Sequence, residues 1–208
     1  MSSQNTSAAR RVPQRRRGHE RVAALLDAAD ACFAESGYDA ATMTAIAARA
    51  GAAIGSLYQF FPTKEAVAEA LLAQHTQTLL ARLAALRGRL AGGDLDQVAA
   101  GLVGFLADFR RRHPAYVVLL ESTGFADRRG DAIRQQLRAE LSALLAEHLP
   151  AHPAPVLRAA TLVVQQLMKA AVALQAQAPA ADRRVARAEL ERALRLYLHD
   201  LAHRPAGD

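Results

Sequence analysis

Gly55, Ser56, Tyr58 and Gln59 form the stretch of this sequence best suited to reading another molecule. Ser56, Tyr58 and Gln59 each both donate and accept hydrogen bonds, and a glutamine amide can bond the edge of an adenine bidentately. Gly55 carries no side chain, so backbone there can approach a partner closely. Interleaved with them, Ile54, Leu57 and Phe61 recur at i, i+3 and i+7, which predicts a short helix with an apolar inner face and a compact polar outer one. Such a helix can enter a DNA major groove and touch base edges, Gln59 being the best base reader.

The neighbouring residues predict how this helix is held. Thr42 can cap a helix running to Ala50, and Gly51 can take the positive φ that stops it and lets the next helix leave steeply. Pro62-Thr63 opens a further helix with Lys64 in its first turn, where a cation opposes the helix dipole unless a phosphate sits nearby.

From Thr42 to Lys64 the chain resembles, without gaps, the helix-turn-helix of the TetR family of bacterial transcription regulators. The residues that carry the resemblance are Ile46-Ala47, Gly51, Leu57-Tyr58, Phe61 and Lys64. It departs at Ala53, where many members carry a Ser or Thr cap on the recognition helix. The resemblance covers about the first third of the chain. It implies a homodimeric, ligand-responsive regulator, most often a repressor, on a palindromic double-stranded DNA operator. Thr42, Thr44 and Lys64 would hold phosphates, while Gly55, Ser56, Tyr58 and Gln59 would face the groove. The last two helices would pair with their copies in a second subunit, as a reader of two half-sites about 34–36 Å apart requires. A small apolar effector would tilt the fourth helix and release the DNA.

Composition agrees with a cytoplasmic regulator. The 208 residues are 51% hydrophobic and 22% charged, enough for a sizeable core. The single cysteine, Cys32, lies in an apolar helical stripe and reads as a core residue. Met1-Ser2-Ser3-Gln4-Asn5 does not open a signal peptide, and no apolar run is expected to reach the roughly 20 residues that cross a bilayer, the stretch after Arg158 being broken by Gln165-Gln166. The net charge of +6 is mostly an N-terminal matter, since Arg10, Arg11, Arg15, Arg16, Arg17 and Arg21 face the single acid Glu20. Residues 1–18 therefore read as a disordered basic arm with access to DNA phosphates.

No strand pattern occurs, so the fold is expected to be all-α: three helices in a DNA-binding unit over 19–64 and six in a regulatory and dimerisation domain over 65–208. The first helix is expected from about His19 to Ser36, with Gly37 ending it. Helix four should run from Thr63 to Leu90 and stop at Gly92-Gly93. Asp94 and Gln97 have capping-box spacing.

In the second domain Phe105, Phe109, Tyr116 and Phe125 are the best lining for a ligand pocket, with Gly101 and Gly104 leaving room beside them. His75, Gln165 and Met168 complete the candidate set, although a lone His on an apolar face is more often a satisfied core residue. Catalysis finds little support: there is no His-Glu-x-x-His, no Gly-rich phosphate loop and no Cys pair. His148/His152 and His199/His203 have i, i+4 spacing but no third ligand, so neither a metal nor another cofactor is expected. The alternative is a helical small-molecule binding protein whose basic arm serves another acidic partner.

Overall fold

A computed structural model describes residues 7–122 and 130–204, and these are helical with short connections. The elements are α1 (Ser7–Ala40), α2 (Met43–Arg49), α3 (Ile54–Phe60), α4 (Lys64–Leu90), α5 (Leu95–Arg112), α6 (Pro114–Glu121), α7 (Gly130–His148), α8 (Ala154–Gln177) and α9 (Arg183–His203). No strand occurs among the described residues, so the fold is all-α as expected.

Helix α1 differs most from expectation. It begins at Ser7, so the arm expected to be disordered over 1–18 is helical where it is described. Ala8, Ala9, Gln14 and the arginines are good helix formers, and extending an existing helix needs no new nucleus, which works against the cost of an interior proline at Pro13. At the other end Gly37 takes φ 80° and ψ 167°, which breaks the helix as expected, but one further turn follows to Ala40.

The described residues pack as two units. The first runs to His75 and includes α6, and the second comprises Thr76 to His113 and the helices from α7 onward. The division thus falls inside α4, eleven residues beyond the boundary expected at Lys64, and α6 falls in the first unit, where the sequence places it in the second.

In the first unit Leu25, Phe33, Ile46, Leu57 and Val67 are fully buried, and α6 packs on α1. Cys32 is buried with them. Burying a side chain the size of Leu57 stabilises by about 1.5–3 kcal/mol, so α3 is held mainly by that residue and by Phe61. Ile54, expected inward, is instead 40% exposed. It is the first residue of α3, where a side chain tilts back past the helix start and away from the core.

In the second unit α5 packs against α8 and α9, α8 also against α7, and the core runs through Leu83, Leu102, Leu141, Val164, Leu194 and Leu198. Arg87 on α4 bonds Glu140 and Glu147 on α7, at 2.9 and 3.3 Å. Asp94 caps α5 as expected, accepting from the Gln97 amide at 2.8 Å. Over Ala154–Gln175, α8 has a mean hydropathy of 1.3 at a length that could cross a bilayer, so Gln165-Gln166 interrupts it less than the sequence suggests. Gln165 and Thr161 are buried in the second unit, as one face of a packed helix is.

Candidate nucleic-acid interface and cavity

The helix-turn-helix is built from backbone bonds that the sequence specifies. Thr42 Oγ1 accepts from the Ala45 amide at 3.1 Å and starts α2. At the far end Gly51 takes φ 61°, its amide donates to Ala48 O at 3.1 Å and the Ala52 amide donates to Ala47 O at 2.9 Å. Those two bonds are the Schellman closure, which satisfies carbonyls that α2 would leave open and needs a residue tolerant of positive φ. Ala53 precedes α3 without any side-chain cap, consistent with the absence of a hydroxyl there.

On α3, Leu57 is buried while Gly55, Tyr58 and Gln59 are exposed and Ser56 is half-exposed. Thr42 and Thr44 are exposed at the start of α2. These six residues are therefore all accessible to a partner. Arg21 of α1 reaches Ser56 Oγ at 3.5 Å, so a guanidinium borders the same face. Arg49 at the end of α2 is fixed by a two-pronged bond to Glu35, at 2.5 and 2.7 Å. This hydrogen bond holds the Glu35 carboxyl below its ordinary value and raises that of Arg49.

Lys64 has partners the sequence did not indicate. Its ammonium donates to Tyr38 O at 2.8 Å, Asp39 O at 3.0 Å and Ala41 O at 3.1 Å, which engages all three protons. It also lies 4.5 Å from the centre of the Tyr38 ring. Tyr38 in turn donates to Glu65 Oε1 at 3.1 Å and stacks obliquely on Phe33 at 5.7 Å. Burial and that bond push the Tyr38 phenol up to about 12. Lys64 thus fastens the end of α1 and the linker to the start of α4, and any phosphate contact would compete with three carbonyls.

The expected pocket residues do not lie together in one unit. His75 and Tyr116 belong to the first, with ring centres 5.9 Å apart edge to face, and His75 Nε2 is 2.7 Å from Asp30 Oδ1. That is a partnered core histidine. Gln165 and Met168 are fully buried in the second unit; Gln165 Oε1 accepts from Arg138 at 3.0 Å, and its Nε2 has no partner among the described residues. Phe125 lies outside the described residues. Phe105 and Phe109, with Gly101 and Gly104, line a cavity of about 580 Å³ in the second unit. Arg82, Arg89, Arg112 and Arg187 also line it, so it is not the apolar space expected. Arg82 and Arg89 stand seven apart on α4 and so share a face; that spacing was the available signal. The histidine pairs are engaged as well: His148 faces Leu144 O and Leu90 O, both at 2.9 Å, and His199 faces Asp96 at 2.7 Å.

A short helix with a buried leucine and an exposed hydrogen-bonding face, presented after a glycine-closed turn, defines a helix-turn-helix DNA-binding protein. The chain belongs to the TetR family. The family profile "Bacterial regulatory proteins, tetR family" matches residues 25–71, and "Tetracyclin repressor-like, C-terminal domain" matches residues 94–198. It is similar to the HTH-type transcriptional repressor KstR of Mycolicibacterium smegmatis, 36% identical over 95 residues, which are 46% of either chain. With KstR of Mycobacterium tuberculosis it shares 34% over 95 residues, 46% of this chain and 42% of that one. The matched stretch thus spans less than half of these curated relatives. Among solved structures, a TetR-family transcriptional regulator from Streptomyces coelicolor superposes with TM-score 0.57 and 28% identity, over 87% of this chain and 99% of that one. FadR from Bacillus subtilis, in complex with stearoyl-CoA, gives 0.64 and 17%, over 84% and 96%, and shares the fold.

Proposed function

We propose that this chain is a cytoplasmic, non-catalytic transcriptional repressor that binds a palindromic operator as a homodimer and is released by a small effector held in the second unit. The observation that carries the reading is the exposed face of α3, with Leu57 fully buried behind it and Tyr58 half exposed. Gln59 reads a base, Ser56 and Tyr58 line the groove, Gly55 allows close approach, and Thr42 and Thr44 meet phosphates. Lys64 acts through the position it gives the α1–α2 linker.

The dimer reading rests on α8 and α9. Only 33% of the apolar window of α8 is buried, and Leu162 and Val163 on α8 and Leu196 on α9 are 47, 40 and 58% exposed. A second copy would remove that apolar surface from water. The effector acts only through its different affinities for the DNA-binding and released states. Selecting bound sequences from random duplex DNA with the purified protein tests the reading. A palindromic consensus, bound with a linear log–log salt dependence, is expected. Absence of enrichment overturns it.

A further inference from the structure

The cavity of the second unit holds an unusual charge arrangement. Arg82 and Arg89 from α4, Arg112 from α5 and Arg187 from α9 border one space of about 580 Å³, with Asp108 the only acid on its wall among the described residues. Among the described residues none of the four arginines has a carboxylate within ion-pair distance, and Asp108 is engaged by Arg111 at 3.3 Å. Arg82 lies over the Phe109 ring, 5.8 Å from its centre. Gly104 lets Arg187 come close: a Cβ on Gly104 would stand 2.5 Å from Arg187 Nη2. The rest of the lining is apolar, formed by Leu86, Phe105 and Phe109 with Ala85, Ala100 and Gly101.

Like charges gathered round one cavity repel one another, and a ligand that neutralises them is bound by that relief as well as by hydrogen bonds. A single carboxylate would leave most of the charge uncompensated. Phosphate and pyrophosphate carry two or more negative charges on oxygens that match the guanidinium fork. The apolar part of the lining has no use for a simple inorganic ion, whereas it suits a hydrocarbon body, and the volume is that of an ordinary small-molecule site. Duplex DNA is too wide for such a space.

We propose that this cleft binds an anionic amphiphile, a ligand with a phosphate or pyrophosphate head on the arginines and an apolar body against Phe105 and Phe109. This deepens the reading of the second unit as effector-binding and rests on it.

Calorimetric titration of the full chain with decyl phosphate, below its micelle concentration, tests the proposal against decanol, decyltrimethylammonium and inorganic pyrophosphate. Decyl phosphate is expected to bind tightest, pyrophosphate weakly, and the uncharged and cationic chains least. Arg112→Gln with Arg187→Gln, both on exposed side chains, is expected to weaken decyl phosphate by about tenfold or more while leaving the helical circular dichroism unchanged. Decanol binding as tightly as decyl phosphate, or full affinity in the double variant, overturns the proposal. So does an unchanged decyl phosphate isotherm accompanied by a smaller salt slope for DNA, which would assign the arginines to nucleic acid. Operator binding measured alongside separates the two readings: operator binding with no amphiphile isotherm overturns this inference alone, and an isotherm without sequence-selective DNA binding overturns the repressor reading.

Discussion

Replacing Lys64 by Met keeps most of the side-chain length and the contact with Tyr38 but removes the charge that the carbonyls of Tyr38, Asp39 and Ala41 share. A hydrogen bond to a charged group contributes about 1.5–3 kcal/mol at best, and a half-exposed site weakens each bond. A cation near a helix C-terminus adds roughly 0.3–1 kcal/mol. Three carbonyls sharing one ammonium are partly rehydrated when it is lost, so the net cost of Lys64→Met is about 2 kcal/mol. For a chain of this size that lowers Tm by roughly 4–8 °C.

Three measurements decide the matter. Thermal unfolding followed by circular dichroism should show the lowered Tm, and hydrogen exchange should show faster opening of the Ala45 and Ile46 amides just beyond the linker. Operator binding by Lys64→Met should weaken with little change in salt slope, because no phosphate contact is lost directly. A variant that melts within about 1 °C of the parent and loses about one unit of salt slope would refute the carbonyl-clamp argument and restore Lys64 as a phosphate ligand.

Three further outcomes are expected. Glu35 and Glu65 both titrate below their ordinary 4.5, Glu35 chiefly through Arg49 and Glu65 chiefly through its own amide and the Thr63 hydroxyl. A lowered folded value means that their stabilisation is present above about 4.5 and lost as pH falls through the folded values, so a Tm–pH series from 7 to 3 should be flatter for Glu35→Gln than for the parent; equal slopes would count against the pair. Gly37→Ala meets no atom within 4 Å but must hold φ 80°, so denaturant unfolding should show a loss of about 1 kcal/mol, and an unchanged midpoint would show that the chain relaxes around the residue. Gln59→Ala should relax the preference at one base pair per half-site by about 1–3 kcal/mol, read by repeating the selection; equal losses on selected and random DNA would remove its base-reading role.

What the sequence made legible was local. Thr42, Gly51 and Asp94 announce their roles because caps and positive-φ stops act through bonds to residues a few positions away. Leu57 announces its burial because its neighbours keep the 3.6-residue period. Ile54 obeys the same period and is exposed, since at the first position of a seven-residue helix there is no preceding turn to lie against. The allocation of α6 to the first unit could not be read, because it depends on α1 meeting residues some eighty positions later. His75 and Tyr116 meet across about forty positions, and only that packing distinguishes a partnered core histidine from a pocket wall.

Cations show the limit most clearly, because what a positive charge does depends on what faces it. Judged within α4 alone, Lys64 sits at the wrong end of a helix dipole and calls for a phosphate. In three dimensions it stands at the C-terminal end of α1, where Gly37 has turned the chain and the carbonyls of Tyr38, Asp39 and Ala41 converge. The favourable end of one dipole offsets the unfavourable end of the other, so no external anion is required. Arg112 is the reverse case. In sequence it closes the basic run Arg110-Arg111-Arg112, which α5 should carry in its last turn as a solvated and dipole-favoured end. In the fold it joins Arg82, Arg89 and Arg187 around a space in which Asp108 is the only acid among the described residues, and Asp108 is already held by Arg111. The lysine that looks like an anion site has its protons satisfied by the chain, whereas Arg112, which looks like an ordinary helix end, has no carboxylate within ion-pair distance among the described residues, which places the demand for an external anion in the second unit.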